Sequence, residues 1–172
     1  LGIHDLDNAK DYLQHIETSV KKLDNVINNL ININRINSTE LYYEKIEIRE
    51  LIDDCQQMLN LDREEEAFKI FTDVQETSEF YSNQQIVYSA IQNIIENAYK
   101  YRKTYIVNPQ LKISGVINEE FVFLNFSDNG IGIPQNYVNK IFDMFFRADS
   151  SNKNGSGLGL YLTKTSLNKL GG

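Results

Sequence analysis

From residue 5 to residue 36 the chain has neither Gly nor Pro, and Leu13, Ile16, Val20, Leu23, Ile27 and Leu30 recur at alternating intervals of three and four. A stripe of that period runs along one side of a helix and needs another helix beside it. Val26, Ile31, Ile33 and Ile36 widen the apolar face, which suits a four-helix bundle better than a thin two-stranded seam. A helix lying on its own domain could carry the same pattern, but the length of the stripe favours pairing. A homodimer through those six residues is therefore expected, with Asp5 or Asp7 as the N-cap.

The period stops at Ile36-Asn37-Ser38-Thr39, where turn formers cluster. A helical arm over 1–38 is thus set apart from a second unit over 44–172. In that unit Tyr43, Lys45-Ile46 and Ile48 alternate as a short strand, and Leu51, Ile52, Cys55, Met58 and Leu59 fall at helical spacing. Phe68 to Val74 reads as a strand and Gln84 to Tyr101 as a helix. Leu111 to Ile117 and Phe121 to Asp128 read as a hairpin, with Gly115 a candidate bulge. Pro134 suits the first turn of another helix, and a last helix runs from about Leu160 to Leu170. The class is α+β: a two-layer α/β sandwich, with helices on a mostly antiparallel or mixed sheet and a long helical arm in front.

Composition excludes several partners. Lys and Arg number 17 against 24 Asp and Glu, and this net charge of −7 argues against a nucleic-acid or anionic-membrane surface. The single cysteine, Cys55, excludes an internal disulfide and a cysteine zinc site, and reads as a buried apolar residue. No apolar run approaches the roughly 20 residues of a spanning helix, so cytoplasmic material without direct membrane contact is expected, alone or as the cytosolic part of a membrane-bound sensor.

Three segments carry polar groups where packing does not require them. Asn93, Glu96, Asn97 and Lys100 share one face of the Gln84–Tyr101 helix, opposite Val87, Ile91, Ile94, Ile95 and Ala98. A solvated face with a Glu96–Lys100 pair would look similar, but two asparagines inside a helix call for a side-chain task. An amide oxygen can ligate Mg²⁺, and Lys can meet phosphate. In Asp128-Asn129-Gly130-Ile131-Gly132-Ile133-Pro134, alternation puts the Asp128 carboxylate on the side of Val122, Leu124 and Phe126, where it needs donors such as an exocyclic amine. Taken alone, Asp-Asn-Gly is also an ordinary turn. Gly155-Ser156-Gly157-Leu158-Gly159-Leu160 opens into a helix, where free amides and the dipole favour an anion. No strand precedes that loop, so it is not a dinucleotide-binding turn.

Taken in order, the segments resemble the sensor histidine kinases. Asn93 to Tyr101 resembles their N box, Asp128 to Ile133 their first glycine box, Phe142-Asp143-Met144-Phe145-Phe146-Arg147 their F box, and Gly155 to Leu160 their second glycine box. Leu23 to Leu30, leading into Arg35-Ile36, is similar to the second helix of their dimerisation and phosphotransfer domain. The resemblance implies an ATP- and Mg²⁺-binding catalytic domain of the GHKL type over 44–172, preceded by a partial dimerisation domain over 1–38. It implies Asn97 as the Mg²⁺ ligand, Asn93 beside the phosphates and Glu96 beside the metal, these last two as catalytic residues. Lys100 would meet phosphate and Tyr101 would pack near the nucleotide. Asp128 would receive the adenine amine in a pocket shaped by Gly130, Gly132 and Ile133. Phe142, Phe146, Arg147, Lys153, Gly155, Gly157, Leu158, Gly159 and Leu160 would form a short lid and phosphate loop.

Gyrase- and chaperone-type relatives carry a water-activating Glu where this chain has Asn93, and an amide cannot act as that base. Slow hydrolysis and transfer of the γ-phosphoryl group to a histidine are therefore expected, with a phosphoacceptor helix and a response regulator as partners. His4-Asp5-Leu6-Asp7 departs from the acceptor pattern at Asp7, and His15 reads as a helix-surface residue. The chain is thus expected to begin between the two helices of the dimerisation domain and to lack its target histidine. It is also expected to stop short of the closing strands, leaving a sheet edge open. The alternatives are a non-catalytic nucleotide-binding or dimerisation module regulating a partner, and a GHKL ATPase.

Overall fold

The structure, a computed structural model, describes residues 3–38, 40–59, 68–148 and 156–172. The helix α1 (Ile3–Ser38) is a single uninterrupted element, which the absence of Gly and Pro from 5 to 36 permits. It already begins at Ile3, so Asp5 and Asp7 lie inside it and do not cap it. Next come β1 (Glu44–Lys45), α2 (Ile48–Met58), β2 (Lys69–Glu76), β3 (Tyr81–Ser82), α3 (Gln84–Lys100), β4 (Gln110–Ile117), β5 (Val122–Asp128) and α4 (Gly159–Lys169).

The sheet is mixed, in the order β2-β4-β5. Parallel pairing of β2 with β4 sets Lys69 against Gln110, and antiparallel pairing of β4 with β5 sets Leu111 against Asp128. Against one face pack Leu51, Ile52 and Cys55 of α2 and Val87, Ile91, Ile95 and Ala98 of α3, meeting Val74, Leu111, Ile113 and Ile117. Burying that many large aliphatic side chains, at roughly 1.5–3 kcal/mol each, fixes the two layers. The α4 helix packs on α3 and α1. Asn83 caps α3, its Oδ1 accepting the Ile86 N–H at 3.1 Å while its Nδ2 donates to the Tyr42 carbonyl at 3.3 Å.

Three local expectations are corrected, and one strand is new. The strand expected through Ile48 stops at Lys45, because Ile48 is fully buried as the first residue of α2. Its partner β3 was not foreseen, and two residues are too few for a period to register. Gly115 is no bulge: the register runs unbroken from Gly115 opposite Leu124, and a Cβ there would stand 2.1 Å from the Phe123 carbonyl oxygen. Pro134 introduces only a 3₁₀ turn, Gln135–Tyr137. Most of the segment from 135 to 145 is exposed, so no buried face supports further helix. Cys55 is fully buried and unbridged, and burial pushes its thiol up to about 11. Among the described residues no helix is long and apolar enough to cross a membrane.

Candidate functional site

The polar face of α3, the turn after β5 and the start of α4 meet around one cleft of about 1030 Å³. From α3 come Asn93, Glu96, Asn97 and Lys100, with Tyr101 just beyond the helix. The Asn93 Nδ2 donates to the Ser89 carbonyl at 2.7 Å, which fixes the orientation of that amide. A Cβ built on Gly159 would lie 3.1 Å from the Asn93 Oδ1 and 3.6 Å from the Asn97 Nδ2. The first residue of α4 therefore sits directly over both amides, and a side chain there would crowd them. Glu96 does not reach forward to Lys100 as a simple surface pair would: its Oε1 accepts from Gln92 Nε2 at 2.8 Å, while the Lys100 ammonium stands 4.9 Å from the centre of the Tyr101 ring.

Asp128 ends β5 on the side of Phe126, as the alternation requires, and both line the cleft with Leu111. Its carboxylate is exposed to the cleft, and Oδ1 accepts the Gly130 N–H at 2.8 Å. The turn that follows is pinned to the scaffold. Asn129 Oδ1 accepts the Gln110 N–H at 2.9 Å, its Nδ2 donates to the Asn108 carbonyl at 2.9 Å, and the Ile131 N–H donates to the Tyr101 carbonyl at 3.0 Å. A Cβ on Gly130 would come within 2.5 Å of that Tyr101 oxygen, so only glycine fits.

At the other end Gly157 has φ +72, and a Cβ would stand 2.7 Å from the Phe145 carbonyl carbon. Phe145 itself has φ +64, a left-handed conformation unusual for a large side chain. The start of α4 has no side-chain cap, which leaves amides at its N-terminus for an anion.

The cleft thus gathers Asn93, Glu96, Asn97, Lys100, Tyr101, Asp128, Gly132, Ile133, Phe146, Arg147, Gly157, Gly159 and Leu160. Three others stand apart from its lining. Gly130 supports the turn from behind, Leu158 is fully buried and Phe142 lies on the outer surface. Lys153 and Gly155 lie outside the described residues. Sequence reasoning missed the arm: Thr18, Lys21, Asn25, Asn28 and Asn29 also line the cleft. The signal was present, since 18, 21, 25 and 28 repeat the three-four spacing of the apolar stripe.

Oxygen donors from Asn97, Asn93 and Glu96 suit a hard cation that keeps waters and substrate phosphates as its other ligands. Among the described residues no three His, Cys, Asp or Glu side chains cluster so as to hold a metal alone.

Residues 82–172 match the family described as histidine kinase-, DNA gyrase B- and HSP90-like ATPase. The sensor protein kinase WalK of Staphylococcus epidermidis is 30% identical over 175 residues, covering 93% of this chain and 27% of its own length. Two solved structures share the fold. ShkA in complex with AMPPNP has TM-score 0.73 at 18% identity, over 94% of this chain and 34% of that one. Acinetobacter baumannii histidine kinase AdeS has TM-score 0.63 at 20% identity, over 91% and 72%. The chain spans between 9% and 34% of the length of the first curated relatives it matches. With the polar face of α3, the turn after β5 and the start of α4 around one cleft and the match running through all three, the chain belongs to the histidine kinase-, DNA gyrase B- and HSP90-like ATPase family.

Proposed function

We propose that the chain is the catalytic ATP- and Mg²⁺-binding region of a two-component sensor histidine kinase, acting on a histidine of a phosphoacceptor helix. What carries this reading is the convergence of three segments, centred on residues 97, 128 and 157, on one cleft large enough for a nucleotide.

Asp128 accepts the adenine amine while the rigid turn from Asn129 to Gly132 holds the ring plane against Ile131 and Ile133. Lys100, Arg147 and the α4 amides bind the phosphates. Asn97, with Asn93 and Glu96 nearby, would hold Mg²⁺, which neutralises charge on the terminal phosphates. The γ-phosphorus–oxygen bond to the β-phosphate breaks, a phosphorus–nitrogen bond to imidazole forms, and ADP leaves. Because imidazole is already nucleophilic, positioning supplies most of the catalysis. Asn93 has no basic group with which to activate water, so hydrolysis competes poorly.

The arm over 1–38 is the dimerising part and the unit over 44–172 the catalytic part. Leu13, Ile16, Val20, Leu23, Ile27 and Leu30 are between 42% and 65% exposed, an unpartnered apolar stripe that suits a second copy. His15 is exposed on this arm, and His4 lies in the first turn of α1. Neither is assigned the acceptor role.

The test supplies a separate helical hairpin bearing an acceptor histidine, together with ATP and Mg²⁺. Acid-labile phosphate on that histidine, lost in Asn97→Ala, is expected. ATP binding without transfer would turn the reading to a nucleotide-binding regulatory module, and rapid hydrolysis without transfer to an ATPase.

A further inference from the structure

The nucleotide contacts above use only residues from 93 onward, yet α1 forms one wall of the same cleft through Thr18, Lys21, Asn25 and Asn28. At 100° per residue that polar stripe lies roughly 150° around the helix from the apolar stripe. One side of α1 thus faces the cleft, and the nearly opposite side is left for a second copy.

Arg35 Nη2 donates to Gln85 Oε1 of α3 at 3.1 Å, and two further contacts set the direction of the arm along α4. The Asn29 Nδ2 donates to Ser156 Oγ at 3.0 Å, and Lys169 Nζ donates to the Asn37 carbonyl at 3.1 Å. Helices α1 and α4 therefore run in the same direction, with Asn29 beside the residues that lead into α4. Everything before Asn29 overhangs the α4 N-terminus. At 1.5 Å per residue Asn25 lies about 6 Å and Lys21 about 12 Å beyond Asn29 along the axis. The arm residues that overhang the anion-binding end are the ones that line the cleft.

Among the described residues the cations lining the cleft are Lys21, Lys100 and Arg147. Lys100 sits near the Tyr101 ring, and Lys21 is the charge the arm contributes. Its ammonium pairs with Glu17 at 2.6 Å, with both side chains more than 60% exposed. Such an exposed pair is weak, and a lysine stem is flexible enough to exchange it for a phosphate of higher charge.

We infer that the arm closes the phosphate end of the cleft and that Lys21 binds the terminal phosphate of a nucleoside triphosphate, so the site distinguishes ATP from ADP partly through a residue outside the catalytic unit. This rests on the ATP reading above. Because the apolar stripe faces the other way, pairing with a second copy and contact with the nucleotide are compatible.

The test is titration calorimetry of the full chain with MgATP and MgADP, comparing the parent with Lys21→Gln, Glu17→Gln and Asp128→Asn. Lys21→Gln is expected to weaken ATP about five- to tenfold, the scale of one charge-assisted contact, and to leave ADP within about twofold. Glu17→Gln, which frees the ammonium, should tighten ATP by about two- to threefold and leave ADP unchanged. Asp128→Asn should weaken both nucleotides together. Unchanged helicity and melting in Lys21→Gln would confirm that the arm still folds. Equal losses of ATP and ADP in Lys21→Gln, or no loss of either, would overturn the inference. If that result came with both nucleotides still sensitive to Asp128→Asn, the ATP reading would stand. A parent that binds neither nucleotide would remove the ATP reading and this inference with it.

Discussion

The two ends of the cleft are built in opposite ways. At the Asp128 end, Asn129 makes side-chain bonds to Asn108 and to Gln110 at the start of β4, Gly130 bonds back to Asp128, and Ile131 bonds to Tyr101 just beyond α3. That turn is part of the sheet's own frame. At the Ser156 end, the Ser156 Oγ accepts from Leu158 N–H at 3.3 Å and from Asn29 Nδ2, whose partner is 127 residues away in sequence. The first end is suited to reading a flat ring, because recognition by one or two hydrogen bonds needs donors and acceptors that do not move. The second is suited to a charged, flexible chain of phosphates, where helix amides and mobile cations tolerate adjustment.

Breaking the rigid end should have the larger effect. Gly130→Ala forces a Cβ against the Tyr101 carbonyl oxygen, and adenosine, ADP and ATP should all weaken by about 100-fold, equivalent to about 2.7 kcal/mol. If adenosine affinity survives, the turn is not the base-binding end. Asn129→Ala removes two side-chain hydrogen bonds and should cost about 2 kcal/mol, lowering the melting temperature by roughly 4–8 °C. An unchanged melting curve would mean that the turn is not rigid.

A core group away from the cleft serves as a control. Burial raises the Cys55 thiol from 9.0 to about 11, with Tyr88 beside it raised to about 12. The folded state holds the proton more tightly than the unfolded one. The Cys55 contribution is thus complete below about pH 9 and is lost as pH rises toward 11. Denaturant unfolding across that window should show the loss, and Cys55→Ala should lessen it, leaving the part due to Tyr88. A parent curve that stays level from pH 9 to 11 would contradict the burial account.

The smallest effect is expected at the adjustable end. Ser156→Ala removes the bond from Asn29 at the mouth of the cleft while Lys169 still holds Asn37, and should weaken ATP by about threefold while leaving adenosine alone, the scale of one part-exposed hydrogen bond. A loss shared by adenosine would show that the two ends are not separate.

How much of this the sequence revealed follows the same division. The Asp128 turn was legible because strand alternation and glycine spacing are local signals, and the polar stripe of α3 was legible from helical period. The mixed sheet and the single rod of α1 were likewise readable. The role of the arm was not. Its polar stripe has the same three-four spacing as its apolar one, and tertiary contacts, those of Asn29 and Asn37 with the α4 region and of Arg35 with Gln85 of α3, turn that stripe toward the cleft. Gly115 and Pro134 misled for a related reason. Each was given a local meaning, a bulge or a helix start, when the deciding factors were the closeness of the Phe123 carbonyl and the lack of a buried face after 135.

The central claim is that residues 97, 128 and 157 surround one nucleoside triphosphate, and Mg²⁺-dependent ATP titration of the parent and Asp128→Asn tests it most directly. The account predicts one saturable site, tighter with Mg²⁺ than without and weakened at least about 30-fold by Asp128→Asn, with melting unchanged. Saturable binding of equal strength in the two proteins, or no binding in the folded parent, would contradict it.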